Sequence, residues 1–138
     1  MISDIVLLAL QRATHTTLHR LTGELADLNL TPAEINALAI LSDGRVRGVS
    51  ELAAEAGARP STMTSLLDRL HKRGHIDRLT QAGDRRAILI ELTESGKAAA
   101  NRIRGTFAEL EQRALRDLPE SAVAGFHTVL GALTEAAE

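Results

Sequence analysis

The hydrophobic period of this chain switches from helix to strand at Gly74, and that switch constrains the fold more than any other feature. Before it, in "RPSTMTSLLDRLHKRG", Met63, Leu66, Leu67 and Leu70 recur at i, i+3, i+4 and i+7, the single apolar stripe of a packed helix. After it, from Ala87 to Thr93, Ile88, Ile90 and Leu92 alternate with Leu89, Glu91 and Thr93, which is the period of a strand. Residues His75 to Thr80 read as the partner strand. The polar knot Gln81-Ala82-Gly83-Asp84-Arg85-Arg86 then closes a hairpin around one glycine. A helix delivering the chain into a small hairpin predicts a mainly α fold with a minor β element.

Helical signals fill the rest. Residues 2 to 28 read as one long helix, with Leu18, Leu21, Leu25 and Leu28 at 3,4,3 spacing and no proline between them. Thr31-Pro32-Ala33-Glu34 is a capping box with proline at the first helical position, and that helix runs to about Asp43, where Gly44 ends it. Ser50 is the expected cap of a short helix closed by Gly57. Pro60 opens the next helix, which stops at Gly74. Thr93 caps a long helix with Ile103, Phe107, Leu110 and Ala114 on one stripe, and Pro119 starts the last, with Val123, Phe126, Leu130 and Leu133 on another. The leading and trailing helices carry apolar stripes that need covering, and pairing with a second copy of the chain would cover them. The organisation is therefore 1–30, an N-terminal dimerisation helix; 31–93, a compact central lobe; and 94–138, C-terminal dimerisation helices.

Composition removes several function classes. With no cysteine among 138 residues there are no disulfides, thiolate metal sites or thiol redox sensors. Two Phe and no Tyr or Trp leave no base-stacking platform for single strands. There is no nucleophile elbow, phosphate-cradling glycine loop or His-framed carboxylate pair, so nothing points to an enzyme or a cofactor. No run approaches the ~18 apolar residues that span a bilayer, and the start of the chain lacks the basic flank of a signal peptide, so a cytoplasmic location without membrane contact is expected. His15 and His19 stand four apart, a spacing that suits a metal, but no local acid joins them; no metal site is assigned.

Net charge is −2, yet it is unevenly spread. Residues 44 to 86 hold nine Lys or Arg (Arg45, Arg47, Arg59, Arg69, Lys72, Arg73, Arg78, Arg85, Arg86) against five acids, while the remainder holds seven against thirteen. A basic middle between acidic ends suggests a polyanion partner. On the Pro60 helix, Ser61, Ser65, Asp68 and Lys72 lie opposite the apolar stripe, with Thr64 and Arg69 on its flanks. Small hydroxyls let a backbone approach a groove floor and can bond base edges or phosphates. Lys72 and Arg73 at the C-terminal end of this helix are expected to contact the DNA with them, although both also suit the dipole of their own helix. The Ser50 helix, the turn at Gly57 and the Pro60 helix together read as a helix-turn-helix, whose second helix enters the major groove. The hairpin that follows would place Arg85 and Arg86 against phosphates or the narrow minor groove, with Asp84 folding back to hold one of them.

These segments resemble the MarR family of winged helix-turn-helix transcriptional regulators. The resemblance rests on "LTPAEINALAIL" at 30–41, "VSELAAEAG" at 49–57, "STMTSLLDRLHKRGHIDR" at 61–78 and "GDRRAILIELTESG" at 83–96. It implies a homodimer whose first and last two helices interlock, binding pseudo-palindromic duplex operators as a repressor and releasing them when a small-molecule effector lodges between the dimer helices and the winged lobe. By position it implies recognition-helix contacts from Ser61, Thr62, Thr64, Ser65 and Arg69, with Arg86 as the wing arginine and Asp84 as its partner. Two departures stand out. Relatives often have Ser before the proline where this chain has Arg59, which exchanges a cap for a cation near the DNA backbone. The shortage of aromatics also leaves an effector cleft without stacking groups. The rival reading is a winged-helix module that binds another protein and no DNA.

Overall fold

A computed structural model describes the backbone of residues 5–81 and 84–138, and the side chains of all of these except 81 and 84–87. The elements are α1 (Val6–Glu24), a 3-10 turn (Ala26–Leu28), α2 (Pro32–Leu41), β1 (Arg47–Gly48), α3 (Val49–Ala56), α4 (Pro60–Lys72), β2 (Ile76–Gln81), β3 (Asp84–Leu92), α5 (Glu94–Leu115) and α6 (Glu120–Ala137). Two compact units are present, Met1–Phe107 and Ala108–Glu138.

The first unit holds the packed core. It is aliphatic, as the composition requires: Leu25, Ile35, Leu38, Leu41, Leu52, Met63, Leu67, Leu70, Ile76, Ile90 and Ile103 are its largest fully buried side chains. The single helix expected over 2–28 is instead α1 followed by a separate turn. Leu25 and Leu30 are both buried, and on one continuous helix they would face roughly 140° apart, so the chain turns between them. Asn29 permits this by adopting φ 55°, a left-handed conformation that asparagine tolerates better than most residues. The capping box at α2 forms as expected: Thr31 Oγ1 accepts from the Glu34 N–H at 3.2 Å, and Glu34 Oε1 accepts from the Thr31 N–H at 2.8 Å.

A third strand was not legible in the sequence. β1 pairs antiparallel with β3 through Arg47–Ile90 and Gly48–Leu89, making a sheet in the order β1-β3-β2. Because the chain passes straight from this strand into α3, Gly48 occupies the position before the helix, and Ser50, the expected cap, lies inside it. Gly57 ends α3 with φ 67°, as its position predicted. On β3, Ile90 is fully buried and Leu92 half-buried, but Ile88 is 43% exposed. The predicted apolar face therefore reaches the core only at the base of the hairpin.

In the second unit α6 buries none of its residues, and Leu118, Phe126 and Val129 are exposed.

Candidate nucleic-acid interface

α4 is built as its pattern dictates. Met63, Leu66, Leu67 and Leu70 are all buried, which turns Ser61, Thr62, Thr64, Ser65, Asp68, Arg69 and Lys72 to the exposed side. Arg59 stands at the cap position with no side-chain cap bond, and Pro60 takes the first helical position. Thr64 Oγ1 donates to the Pro60 carbonyl at 3.0 Å, and Ser65 Oγ to the Ser61 carbonyl at 3.4 Å. With their protons committed to the helix, both hydroxyls present acceptor lone pairs outward. That suits them to amino groups on base edges.

The cations of the basic middle sort into two sets. Arg47 is 5% exposed and wholly structural: its guanidinium donates to both Asp43 carboxylate oxygens (2.9 and 2.7 Å) and to Glu55 at 2.7 Å. Hydrogen bonds from Arg47, then the Arg45 N–H, hold the Asp43 carboxyl far below the usual carboxylate range, and the same pair raises Arg47. Arg45 meets Glu51 at 2.9 Å and Glu55 at 3.6 Å. Arg78 on β2 pairs with Asp68 on α4. Arg69 lies 3.6 Å from the buried Glu34. Arg73 donates to the backbone carbonyls of Asn29 and Leu28, the latter at 2.8 Å. Among the described residues, Arg59 and Lys72 are the cations of this segment with neither an ion pair nor a side-chain hydrogen bond. They mark the two ends of α4. The side chains of Asp84, Arg85 and Arg86 lie outside the described residues, so their predicted contacts have no geometry here; the backbone of all three is at the start of β3, with Asp84 paired to Gln81.

The junction joining α4 to the hairpin and to α5 explains the "LTESG" motif. Gly74 takes φ 79°, and the His75 N–H bonds back to the Leu70 carbonyl at 3.0 Å, closing the helix. Thr93 Oγ1 donates to the Gly74 carbonyl at 2.6 Å and accepts from the Gly96 N–H at 3.0 Å, so one hydroxyl caps α5 and ties it to the end of α4. The Thr93 N–H donates to the His75 carbonyl at 3.1 Å. His75 Nδ1 lies 3.2 Å from Ser95 Oγ. Burial first, and then the neighbouring Arg73 charge, holds that imidazole below its ordinary value, with Glu34 opposing. Periodicity carried no sign of Arg47, Gly96 or this hydroxyl bridge. The "LTxxG" resemblance marked the place without its reason.

A short helix, a tight turn, a longer helix with a polar outer face and a β-hairpin directly behind it define a winged helix-turn-helix protein. The chain belongs to the MarR family: the model of that family matches residues 30–88. The transcriptional repressor MdtR of Bacillus subtilis is 30% identical over 109 residues, covering 79% of this chain and 70% of MdtR. The transcriptional regulator YfiV of the same organism is 35% identical over 75 residues, 54% of this chain and 47% of YfiV, so this match spans about half of that relative. Among solved structures, the transcriptional regulator PA3341 is 28% identical with a TM-score of 0.85, covering 96% of this chain and 97% of its own. Among the described residues, no helix is long and apolar enough to cross a membrane.

Proposed function

We propose that the protein is a homodimeric, sequence-specific duplex-DNA-binding repressor of transcription, relieved by a small-molecule effector and acting in the cytoplasm. The observation that carries this reading is the outer face of α4, where acceptor hydroxyls lie between the two unpaired cations Arg59 and Lys72. Ser61, Thr62, Thr64 and Ser65 are assigned to base edges, with Arg69 at their flank. Arg59 and Lys72 are assigned to phosphates, and Arg85 and Arg86 to the backbone or minor groove beside them, positioned by Asp84. Repression is favoured by the likeness to MdtR. Dimerisation is favoured by the uncovered apolar residues of α6.

Effector control is favoured by a cleft of about 410 Å³ between α1 and the start of α2, lined by His15, Leu18, His19, Thr22, Gly23, Ala26 and Pro32. NadR, solved in complex with 4-hydroxyphenylacetate, shares the fold at 21% identity. In this chain two imidazoles on a wall without aromatic rings would favour a small ligand held by hydrogen bonds over one held by stacking.

Selection from a random duplex pool tests the DNA reading. A two-fold-symmetric motif is expected, lost or weakened in Arg85→Ala/Arg86→Ala. No enrichment at low salt would overturn the assignment and leave the protein-binding module in its place.

A further inference from the structure

The structure assigns Arg73 a role distinct from that of the other exposed cations near α4: it is a positioning residue that anchors the C-terminal end of α4 to the turn after α1. This deepens the DNA-binding reading and rests on it for its functional consequence. Arg73 stands one residue past the last turn of α4, at φ −82° and ψ −2°. Its two terminal nitrogens reach 44 and 45 residues back along the chain, to the carbonyls of Asn29 and Leu28. Those carbonyls stand at the C-terminal end of the 3-10 turn Ala26–Leu28, and Asn29 is the residue in the left-handed conformation. Carbonyls at a helical C-terminus lack internal partners and carry partial negative charge, which a planar guanidinium matches with two parallel donors.

The same turn is gripped from a second side. Arg102 of α5 donates to both carboxylate oxygens of Asp27, one of them at 2.6 Å. The turn is thus held between α4 and α5, and it is where α1 ends and the approach to α2 begins. Farther up α4, Arg69 leans on Glu34 of α2. Arg73 therefore sets where the far end of α4 lies relative to α1. A charge used in this way neutralises no phosphate.

Salt dependence separates the two roles. Each cation that neutralises a phosphate contributes about 0.9 to the slope of log affinity against log salt. Binding to sheared mixed-sequence duplex DNA is measured across a salt series for the wild type and for Lys72→Gln, Arg73→Gln and Arg73→Lys. Lys72→Gln is expected to lower the slope by about 0.9. Arg73→Gln is expected to weaken binding roughly three- to ten-fold at every salt, with the slope unchanged, as for a lost structural hydrogen bond. Arg73→Lys keeps the charge but loses the fork, and is expected to resemble Arg73→Gln. Amide exchange in the DNA-free protein supplies a readout independent of DNA: faster exchange at Gly74 and His75 is expected in Arg73→Lys. A slope that falls by about 0.9 in Arg73→Gln and recovers in Arg73→Lys would make Arg73 a phosphate contact and overturn the assignment. So would unchanged exchange in Arg73→Lys, whether or not the duplex binds. A wild type that binds no duplex, with faster exchange in the variant, would defeat the DNA reading and keep the anchor.

Discussion

Gly96 sits in the first turn of α5 with the His75 carbonyl where a side chain would begin. A Cβ there would lie 1.8 Å from that oxygen and 2.8 Å from its carbon, both backbone atoms that cannot step aside. The carbonyl is itself held by the Thr93 N–H, so relief would have to break the junction between α4, β3 and α5. Gly96→Ala is expected to cost about 3 kcal/mol, at the upper end for overpacking, read as a lower urea midpoint with unchanged slope. Gly105, farther along the same helix, is its control, since nothing lies within 4 Å of a Cβ built there. Gly105→Ala should raise stability by roughly 0.5–1 kcal/mol through helix propensity. Equal effects at the two positions would refute the close approach. No periodicity argument separates these glycines, because the distinguishing atom belongs to a residue 21 positions away from Gly96.

At the scale of elements, the first helix of the helix-turn-helix pair is held by charge as well as by packing. Arg47 on β1 joins Asp43, just after α2, to Glu55 on α3. Read as sequence, Arg47 counted toward a surface charge; read as structure, it is a buried clamp. Asp43 has its folded pKa depressed, chiefly by Arg47. The sign follows: the contribution is fully present above the unfolded value of about 4 and is lost as pH falls toward the folded value. Stability should therefore decline in acid below about pH 4 in part through this group. In Arg47→Met it should be lower at neutral pH by about 2 kcal/mol and should fall less steeply in acid, because Asp43 and Glu55 lose their buried partner and keep only solvent and the exposed Arg45. Denaturant titrations across pH check this, and parallel profiles for the two proteins would contradict it.

For the whole molecule, energetics turns on the large apolar residues that stay exposed in both units. Leu118, Phe126 and Val129 are 52%, 51% and 42% exposed, and α1 contributes Val6 and Leu8 at 61% and 59%. Self-association through these helices predicts a melting temperature that rises with protein concentration. Phe126→Glu should remove that dependence and halve the mass seen by sedimentation. A wild type that is monomeric at every concentration would refute it.

What the sequence determined by itself is whatever depends on neighbours within a turn or two. The period switch at Gly74, the capping box at Thr31–Glu34, the stops at Gly57 and Gly74 and the polar face of α4 were all legible, because each follows from local dihedral preference and side-chain spacing. Tertiary structure decided the rest. β1 exists only because β3 lies beside it, and two residues are too few to show a period. α1 ends early because Leu25 and Leu30 must both reach the core. Which cations remain available to a partner depends on acids and carbonyls up to 45 residues away, at Glu55 for Arg47 and at Leu28 for Arg73. Charge acts through space, so its availability is settled only once the chain has folded.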